Sequence, residues 1–141
     1  MRLLGQEAEQ AKADIGVVLE DCFFYEGLHP RDVGRVLGGV YPTWDWALFE
    51  SYLNQFGLAD KKSIRALSRG MRMKLSLAAA LAHRPRLLLL DEAFKGLDDQ
   101  CRRDTVAYIR RHTPGASLLC VTHDPEEAAL LGGRCLDLST L

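Results

Sequence analysis

Short apolar runs alternate along the chain with longer stretches in which apolar residues recur every three or four positions, the pattern of strands separated by helices. Ile15 to Leu19 is a β-branched run around Gly16 and reads as a buried strand. Pro30 opens a helix whose interior runs through Val33, Val36 and Leu37, and Gly38-Gly39 stops it. Thr43 is placed to cap a second helix carrying Trp46, Phe49, Leu53 and Phe56 on one face and ending at Gly57. A basic linker, Asp60-Lys61-Lys62-Ser63, follows.

From about Arg69 to His83 a third helix is apolar over most of its circumference. Its polar residues Arg69, Arg72, Ser76 and His83 fall on one narrow stripe, so this helix should be mostly buried. Leu87 to Leu90, bounded by Pro85 and by acids, is short enough to be a central strand. Asp98-Asp99 can cap the next helix, which holds Val106 and Ile109 and stops at Pro114-Gly115. Ser117 to Thr122 reads as another buried strand. Asp124-Pro125 starts a short helix that Gly132-Gly133 ends, and Arg134 to Leu138 is the place for a last strand. Strands joined by helical crossovers imply an α/β fold with a mostly parallel sheet. Pro30 to about Lys62 holds two helices and no strand, an α-helical insertion or subdomain.

At 141 residues and 48% hydrophobic content the chain can build one sizeable core. Eighteen Lys and Arg balance nineteen Asp and Glu, so bulk charge asks for neither nucleic acid nor an anionic membrane as partner. No apolar run approaches the roughly 18 residues of a spanning helix, and a soluble protein is expected. The opening Met-Arg-Leu-Leu-Gly-Gln-Glu lacks the basic-then-apolar pattern of a signal peptide, which argues against export. Cys22, Cys101, Cys120 and Cys135 form no C-x-x-C pair, so zinc or redox-motif spacing is missing and four reduced thiols are expected. Cys120, inside Leu118 to Val121, is expected to pack as a small buried hydrophobe.

The strongest chemical signal is the strand Leu87 to Leu90 followed by Asp91-Glu92. A dry parallel strand delivers two carboxylates at its C-terminal end, where α/β sheets bind ligands. Asp91 fits a ligand to Mg²⁺ beside phosphate, and Glu92 fits a group that orients or deprotonates an attacking water. By itself the pattern fits equally a strand ending in two solvated acids. A second strand ends in Val121-Thr122-His123-Asp124, which brings His123 out on the same side of the sheet. Upstream, Leu67-Ser68-Arg69-Gly70-Met71 opens the third helix with Ser68 at the N-cap, a position whose free amides attract phosphate. Arg69, Arg72 and Lys74 crowd a turn where positive charge opposes the helix dipole. Either an anionic partner removes the conflict or the side chains turn into solvent.

In this order the pieces resemble the ATP-binding cassette (ABC) ATPases. Leu67-Ser68-Arg69-Gly70-Met71 is similar to the family's LSGGQ signature, Leu87 to Glu92 to Walker B with its catalytic glutamate, Gly96-Leu97-Asp98 to the D-loop, and His123 to the switch histidine. Ile15 to Asp21 resembles the strand leading into the Q-loop, and Met1 to Asp14 the connection before it. The resemblance implies an incomplete P-loop NTPase-like (RecA-type) core with an α-helical subdomain. The implied divisions are 1–29 for the end of the N-terminal lobe and the Q-loop region, 30–66 for the helical subdomain, and 67–141 for the signature, Walker B, D-loop and switch part of the core. It also implies ATP and Mg²⁺ as cofactors, with Glu92 and His123 catalytic and Asp91 on the metal. Glu20, Ser68, Arg69, Gly70 and Asp98 are implied at nucleotide.

Several positions depart from the family pattern. Glu20 stands where glutamine is usual, which places an acid near Mg²⁺ and the attacking water. Arg69 replaces the first signature glycine, Met71 the closing glutamine, and Ala93 the proline after the catalytic glutamate, variants that lean toward a bacterial exporter-type cassette. No G-x-x-x-x-G-K-[ST] occurs, so the chain carries no phosphate-cradling P-loop and looks like the C-terminal part of a cassette. In the family, two cassettes pair head to tail and the signature of one closes over ATP held by the other. Ser68, Gly70 and Arg69 would then serve a partner's nucleotide, and Asp91, Glu92 and His123 the chain's own site.

Phe23-Phe24-Tyr25 follow the Q-loop position, and Trp44 and Trp46 lie about 200° apart if one helix holds both, so one should be exposed. By the resemblance, the groove between Q-loop and helical subdomain receives a helix of a transmembrane permease; alternatively the tryptophan covers the subdomain's own hinge. The expectation is thus the ATP-hydrolysing subunit of an ABC transporter, peripheral at the cytoplasmic face of the membrane, inactive as this chain alone, with a second cassette and a permease as partners and no nucleic acid. A non-catalytic module that completes a partner's ATP site is the alternative. A cassette of translation or DNA repair fits less well, because tandem cassettes or long coiled coils are missing.

Overall fold

A computed structural model of the protein describes residues 2–3, 6–7 and 11–140. The expected connection Met1 to Asp14 therefore lies partly outside the described residues. Two-residue strands β1 (Arg2–Leu3) and β2 (Gln6–Glu7) pair antiparallel. The central sheet has three parallel strands in the order β3 (Ile15–Leu19), β4 (Leu87–Asp91), β5 (Ser117–Val121). Helices α1 (Pro30–Gly38) and α2 (Trp46–Gln55) come between β3 and α3 (Arg69–Leu81), α4 (Asp99–His112) joins β4 to β5, and α5 (Pro125–Leu131) follows. The expected parallel α/β architecture is present, with α2 packed on α1 and α3.

Register fixes which residues share a face. Val18 and Leu90 stand side by side, as do Gly16 and Leu88, and Val18, Leu88 and Leu90 enter the core with Leu77, Ala80, Phe94, Val106 and Ile109. Gly16 has a reason to be glycine: a Cβ there would lie 2.8 Å from the Ala80 carbonyl oxygen, so α3 can approach β3 only over a bare α-carbon. On the opposite face Val17, Leu89 and Leu119 form one row and Leu19, Asp91 and Val121 the next, and of these Val17, Leu19, Leu119 and Val121 are exposed.

Six expectations need correction. Strand β5 is not buried; Leu119 is 54% exposed, because no element among the described residues covers that face or pairs with the outer edge. Cys120 is only half-buried accordingly, though burial still pushes its thiol up to about 11. Arg134 to Leu138 forms no strand: the segment is exposed and does not pair with the open edge of β5, so no ladder holds it extended, and it ends in a 3₁₀ turn at Leu138–Thr140. The cap of α2 is Asp45, whose carboxylate accepts from the Leu48 amide at 2.9 Å, whereas the Thr43 hydroxyl donates to the His83 carbonyl at 2.8 Å. Trp44 thus precedes the helix; one tryptophan is exposed as expected, Trp46 at 45%, although both lie against Phe49 with ring centroids 5.0 and 6.4 Å away. His83 lies beyond α3 and is buried rather than on a polar stripe, its Nε2 3.1 Å from the Ile15 carbonyl and its ring stacked 4.0 Å from Tyr41. Val36, expected inside α1, is exposed.

Candidate functional site

All three parallel strands end at the same level, where Leu19, Asp91 and Val121 are in register. The residues just beyond them are therefore forced to one edge, and these are Glu20, Glu92 and the turn Thr122-His123. Asp91 is exposed there, an unencumbered pair of hard oxygens. Glu92 has φ +49°, the left-handed region that costs a non-glycine residue energy. That backbone is pinned from both sides, its N–H donating to Val121 at 2.9 Å and its carbonyl accepting from Lys95 at 3.2 Å. The carboxylate is mostly covered, and Oε1 lies 3.3 Å from His123 Nε2 without a hydrogen bond to the protein. His123 projects almost wholly into solvent, 95% exposed, so the pair faces outward from an ordered base.

The turn under His123 is held by a polar group. Thr122 Oγ1 donates to Glu127 at 2.5 Å and accepts from the Asp124 amide at 3.0 Å, while Arg102 of α4 bonds Asp124 at 2.8 Å and approaches buried Glu127 at 3.9 Å. Asp98 caps α4 by accepting from Cys101 at 2.8 Å, as its position predicted.

At the start of α3, Ser68 Oγ accepts from the Met71 amide at 3.2 Å. Gly70 faces Leu97 and Cys101 across a gap that a methyl group would fill at ordinary contact distance. Arg69 turns back toward the sheet: its Nε donates to the Lys95 carbonyl at 2.8 Å, and Nη2 lies 3.8 Å from Glu20. The side chain crosses Gly96, whose φ of +78° requires glycine at the turn and whose bare α-carbon leaves room for the Arg69 guanidinium. Lys95 Nζ meets Glu20 at 2.8 Å, and this hydrogen bond, ahead of the fields of Lys95 and Arg69, holds the Glu20 carboxyl below its usual range. Glu20, Arg69, Arg72, Ser76 and Lys95 line a cleft of about 430 Å³ between α3 and the sheet edge.

The sequence profile of the family described as "ABC transporter" matches residues 2–95. The chain belongs to the ABC transporter family. It is 34% identical to the taurine import ATP-binding protein TauB of Escherichia coli (strain K12) over 99% of this chain and 58% of that protein. It is 40% identical to TauB of Yersinia pestis bv. Antiqua (strain Antiqua), over 90% of this chain and 52% of that one. Among solved structures, the ATP-binding subunit of an ABC transporter superposes at TM-score 0.70 with 25% identity, covering 85% of this chain and 52% of the other. A bacterial Atm1-family exporter with ATP bound has the same fold, with TM-score 0.66 and 19% identity over 84% of this chain and 22% of its own. The chain thus spans a little over half the length of the curated relatives it matches.

Within this fold, Asp91, Glu92 and His123 are brought to one edge of the sheet, and Glu20 meets Arg69 at the cleft. Ser68 and Asp98 are engaged as helix caps. Lys95, Arg102, Thr122 and Glu127 escaped the reading of the sequence. Lys95 had a signal, since an acid at position 20 calls for a neighbouring cation; the other three belong to a partly buried network in which Arg102 of α4 reaches the Asp124–Glu127 turn more than twenty residues on.

Proposed function

We propose that this chain is the C-terminal part of an ATP-hydrolysing subunit of an ABC importer, with the divisions 1–29, 30–66 and 67–141 as its lobes. The observation that carries the reading is the pair of mostly covered Glu92 and solvent-facing His123, fixed by a strained but pinned backbone beside exposed Asp91. Relatives named as import proteins support uptake over the exporter direction that the signature variants suggested. The identity of the solute rests with the permease.

No three metal-binding side chains gather among the described residues. The donor set nevertheless suits Mg²⁺ bound with a nucleotide, because that ion takes one or two carboxylates and fills its shell with phosphate oxygens and water. Asp91 would supply that carboxylate. An ion held there would supply charge neutralisation at the phosphates. Glu92, within reach of His123, would orient and deprotonate the attacking water, and His123, exposed and free to turn, would meet the γ-phosphate. Glu20 can approach the metal only by leaving Lys95. Ser68 and Gly70 would face a nucleotide held by a second cassette, with Arg69 joining them on release from Glu20; Asp98 would lie at that cassette boundary.

The phosphate cradle must come from a strand, loop and helix carrying G-x-x-x-x-G-K-[ST]. The exposed residues Val17, Leu19, Leu119 and Val121 on the uncovered face and the open outer edge of β5 offer the apolar seat and backbone groups such a unit needs. An apolar groove of about 210 Å³ lined by Phe23, Phe24, Leu37 and Tyr41 suits a helix of a permease. No helix among the described residues is long and apolar enough to cross a membrane, consistent with a subunit that sits against a membrane partner at its cytoplasmic face.

The test is reconstitution. The chain alone should show no Mg²⁺-dependent ATP turnover. Joined to a P-loop-bearing unit it should hydrolyse ATP, and Glu92→Gln should lower kcat about 10²–10⁴-fold with little change in nucleotide affinity. Full turnover in the Glu92→Gln protein would overturn the catalytic assignment, and a joined protein that binds but never hydrolyses would favour the non-catalytic module.

A further inference from the structure

The end of the sheet opposite Asp91, Glu92 and His123 carries a second cleft, of about 460 Å³, between the tails of α3 and α4. Its walls come from α2, from the turn that leads into β4, and from the turn Thr113 to Ala116 that leads into β5. Arg84, Arg86, Arg111 and His112 line it with Leu48 and buried Tyr52, and the lining contains no acid. The acids in range stand outside it: Asp45 accepts from Arg84 at 2.9 Å, and Asp14 lies 3.7 Å from Arg86. Arg111 forms no ion pair among the described residues. Burial raises the pKa of the Tyr52 and Tyr108 hydroxyls, and the charge of Arg84 at the first and of Arg111 at the second works against it, so both guanidinium groups lie near this aromatic wall.

Cations at the carbonyl end of a helix have an ordinary use, since they offset its dipole. In α4 His112 already serves there, its Nδ1 2.9 Å from the Tyr108 carbonyl; a carbonyl can only accept, so Nδ1 carries the proton. Arg111 is surplus to that use. Arg84 has φ +54°, the left-handed position just past a helix that glycine or asparagine fills with least strain, so nothing in the backbone calls for arginine. Arg86 caps neither helix. Its amide donates to Asp14 at 2.7 Å and its carbonyl accepts from Ser117 at 2.8 Å, which locks the backbone and sets the side chain on the cleft wall. Three guanidinium groups around one cleft repel one another unless an anion lies between them, and Asp45 and Asp14 offset only two. A phosphate monoester presents three acceptor oxygens, one for each guanidinium, and guanidinium forks match phosphate geometry. We propose that this cleft binds a small organic phosphate, its head group on Arg84, Arg86 and Arg111 and its apolar body against Leu48 and Tyr52. The cleft lies a strand's length, roughly 16 Å, from the carboxylate edge and takes no part in the function proposed above.

The site is tested on this chain by NMR titration with phenyl phosphate, with no nucleotide or metal present. The amide signals of Arg86, Arg111 and Gly115 should move, while those of Glu92 and His123 stay in place. Phenyl phosphate should bind about tenfold more tightly than inorganic phosphate, because only the ester has a body to bury. Arg111→Gln alters an exposed side chain without an ion pair, should keep the fold, and should weaken phenyl phosphate about tenfold. Arg84→Gln should weaken it as much. Arg103→Gln removes an exposed charge of α4 that does not line the cleft and should change the affinity less than twofold. No binding, equal affinity for phenyl and inorganic phosphate, equal losses in Arg103→Gln and Arg111→Gln, or shifts centred on Glu92 and His123 would each overturn the proposal. Tighter binding of phthalate than of phenyl phosphate would overturn the phosphate head group. Because ATP plays no part, these failures are separate from a failure of the reconstituted ATPase.

Discussion

The two faces of the sheet are built from the same kinds of residue and have opposite fates. On one, Val18, Leu88 and Leu90 are buried under α3 and its neighbours; on the other, Val17, Leu19, Leu119 and Val121 meet solvent. Propensity does not separate them, since Leu87 to Leu90 is a continuous apolar run of the kind that central parallel strands use when covered on both sides. The difference lies in what the chain brings to each face. Residues between β3 and β4, with Phe94, Val106 and Ile109 after β4, supply the cover for one, whereas nothing among the described residues supplies it for the other. The bare face and the open β5 edge lie beside the strand ends that carry Asp91, Glu92 and His123, so the proposed site adjoins a larger uncovered surface.

The contrast breaks most readily at Leu88. Leu88→Ala should cost about 2–5 kcal/mol in urea unfolding by leaving a cavity, while Leu119→Ala should stay within about 0.5 kcal/mol. Equal losses would mean the faces do not differ energetically. Gly16→Ala should cost about 1–3 kcal/mol, because its methyl group must displace the Ala80 carbonyl from the covered face. Ser68→Ala, on an exposed cap, should cost about 1 kcal/mol and lower the helical signal of α3 first.

A smaller effect concerns pH. His83, buried between α3 and β3, has its pKa lowered by desolvation, ahead of the hydrogen bond to Ile15 that works the other way. The folded state therefore favours the neutral ring, and protonation favours unfolding. Its contribution is complete above the free imidazole value of about 6.5 and is lost as pH falls below it. The urea midpoint should fall with acidification in that window, and the fall should be shallower in His83→Gln; an identical slope in both proteins would remove His83 from the covered face's account.

Much of the site was legible before the fold was. Four leucines and two acids placed Asp91 and Glu92 at a strand end, and a second apolar run placed His123 beside them, because strand ends in a parallel sheet share one edge. Helix caps at Ser68 and Asp98 could be read from residue type alone. Thr43 was a plausible cap that lost to Asp45, two residues on, because its hydroxyl found the His83 carbonyl instead. The ion pairs of Glu20 with Lys95 and Arg69 join residues far apart in the chain, and pairing of that kind has no periodicity to reveal it.

Local sequence determined the elements, their order and the acids that crown the central strand, since hydrophobic period, caps and breakers act within a few residues. Which apolar faces are covered was decided only in three dimensions, as was the engagement of Arg69 with Glu20 and Lys95 rather than solvent. Both depend on which distant segments meet. An apolar strand such as Ser117 to Val121 has the same sequence whether or not something lies against it, and burial belongs to the neighbour as much as to the strand.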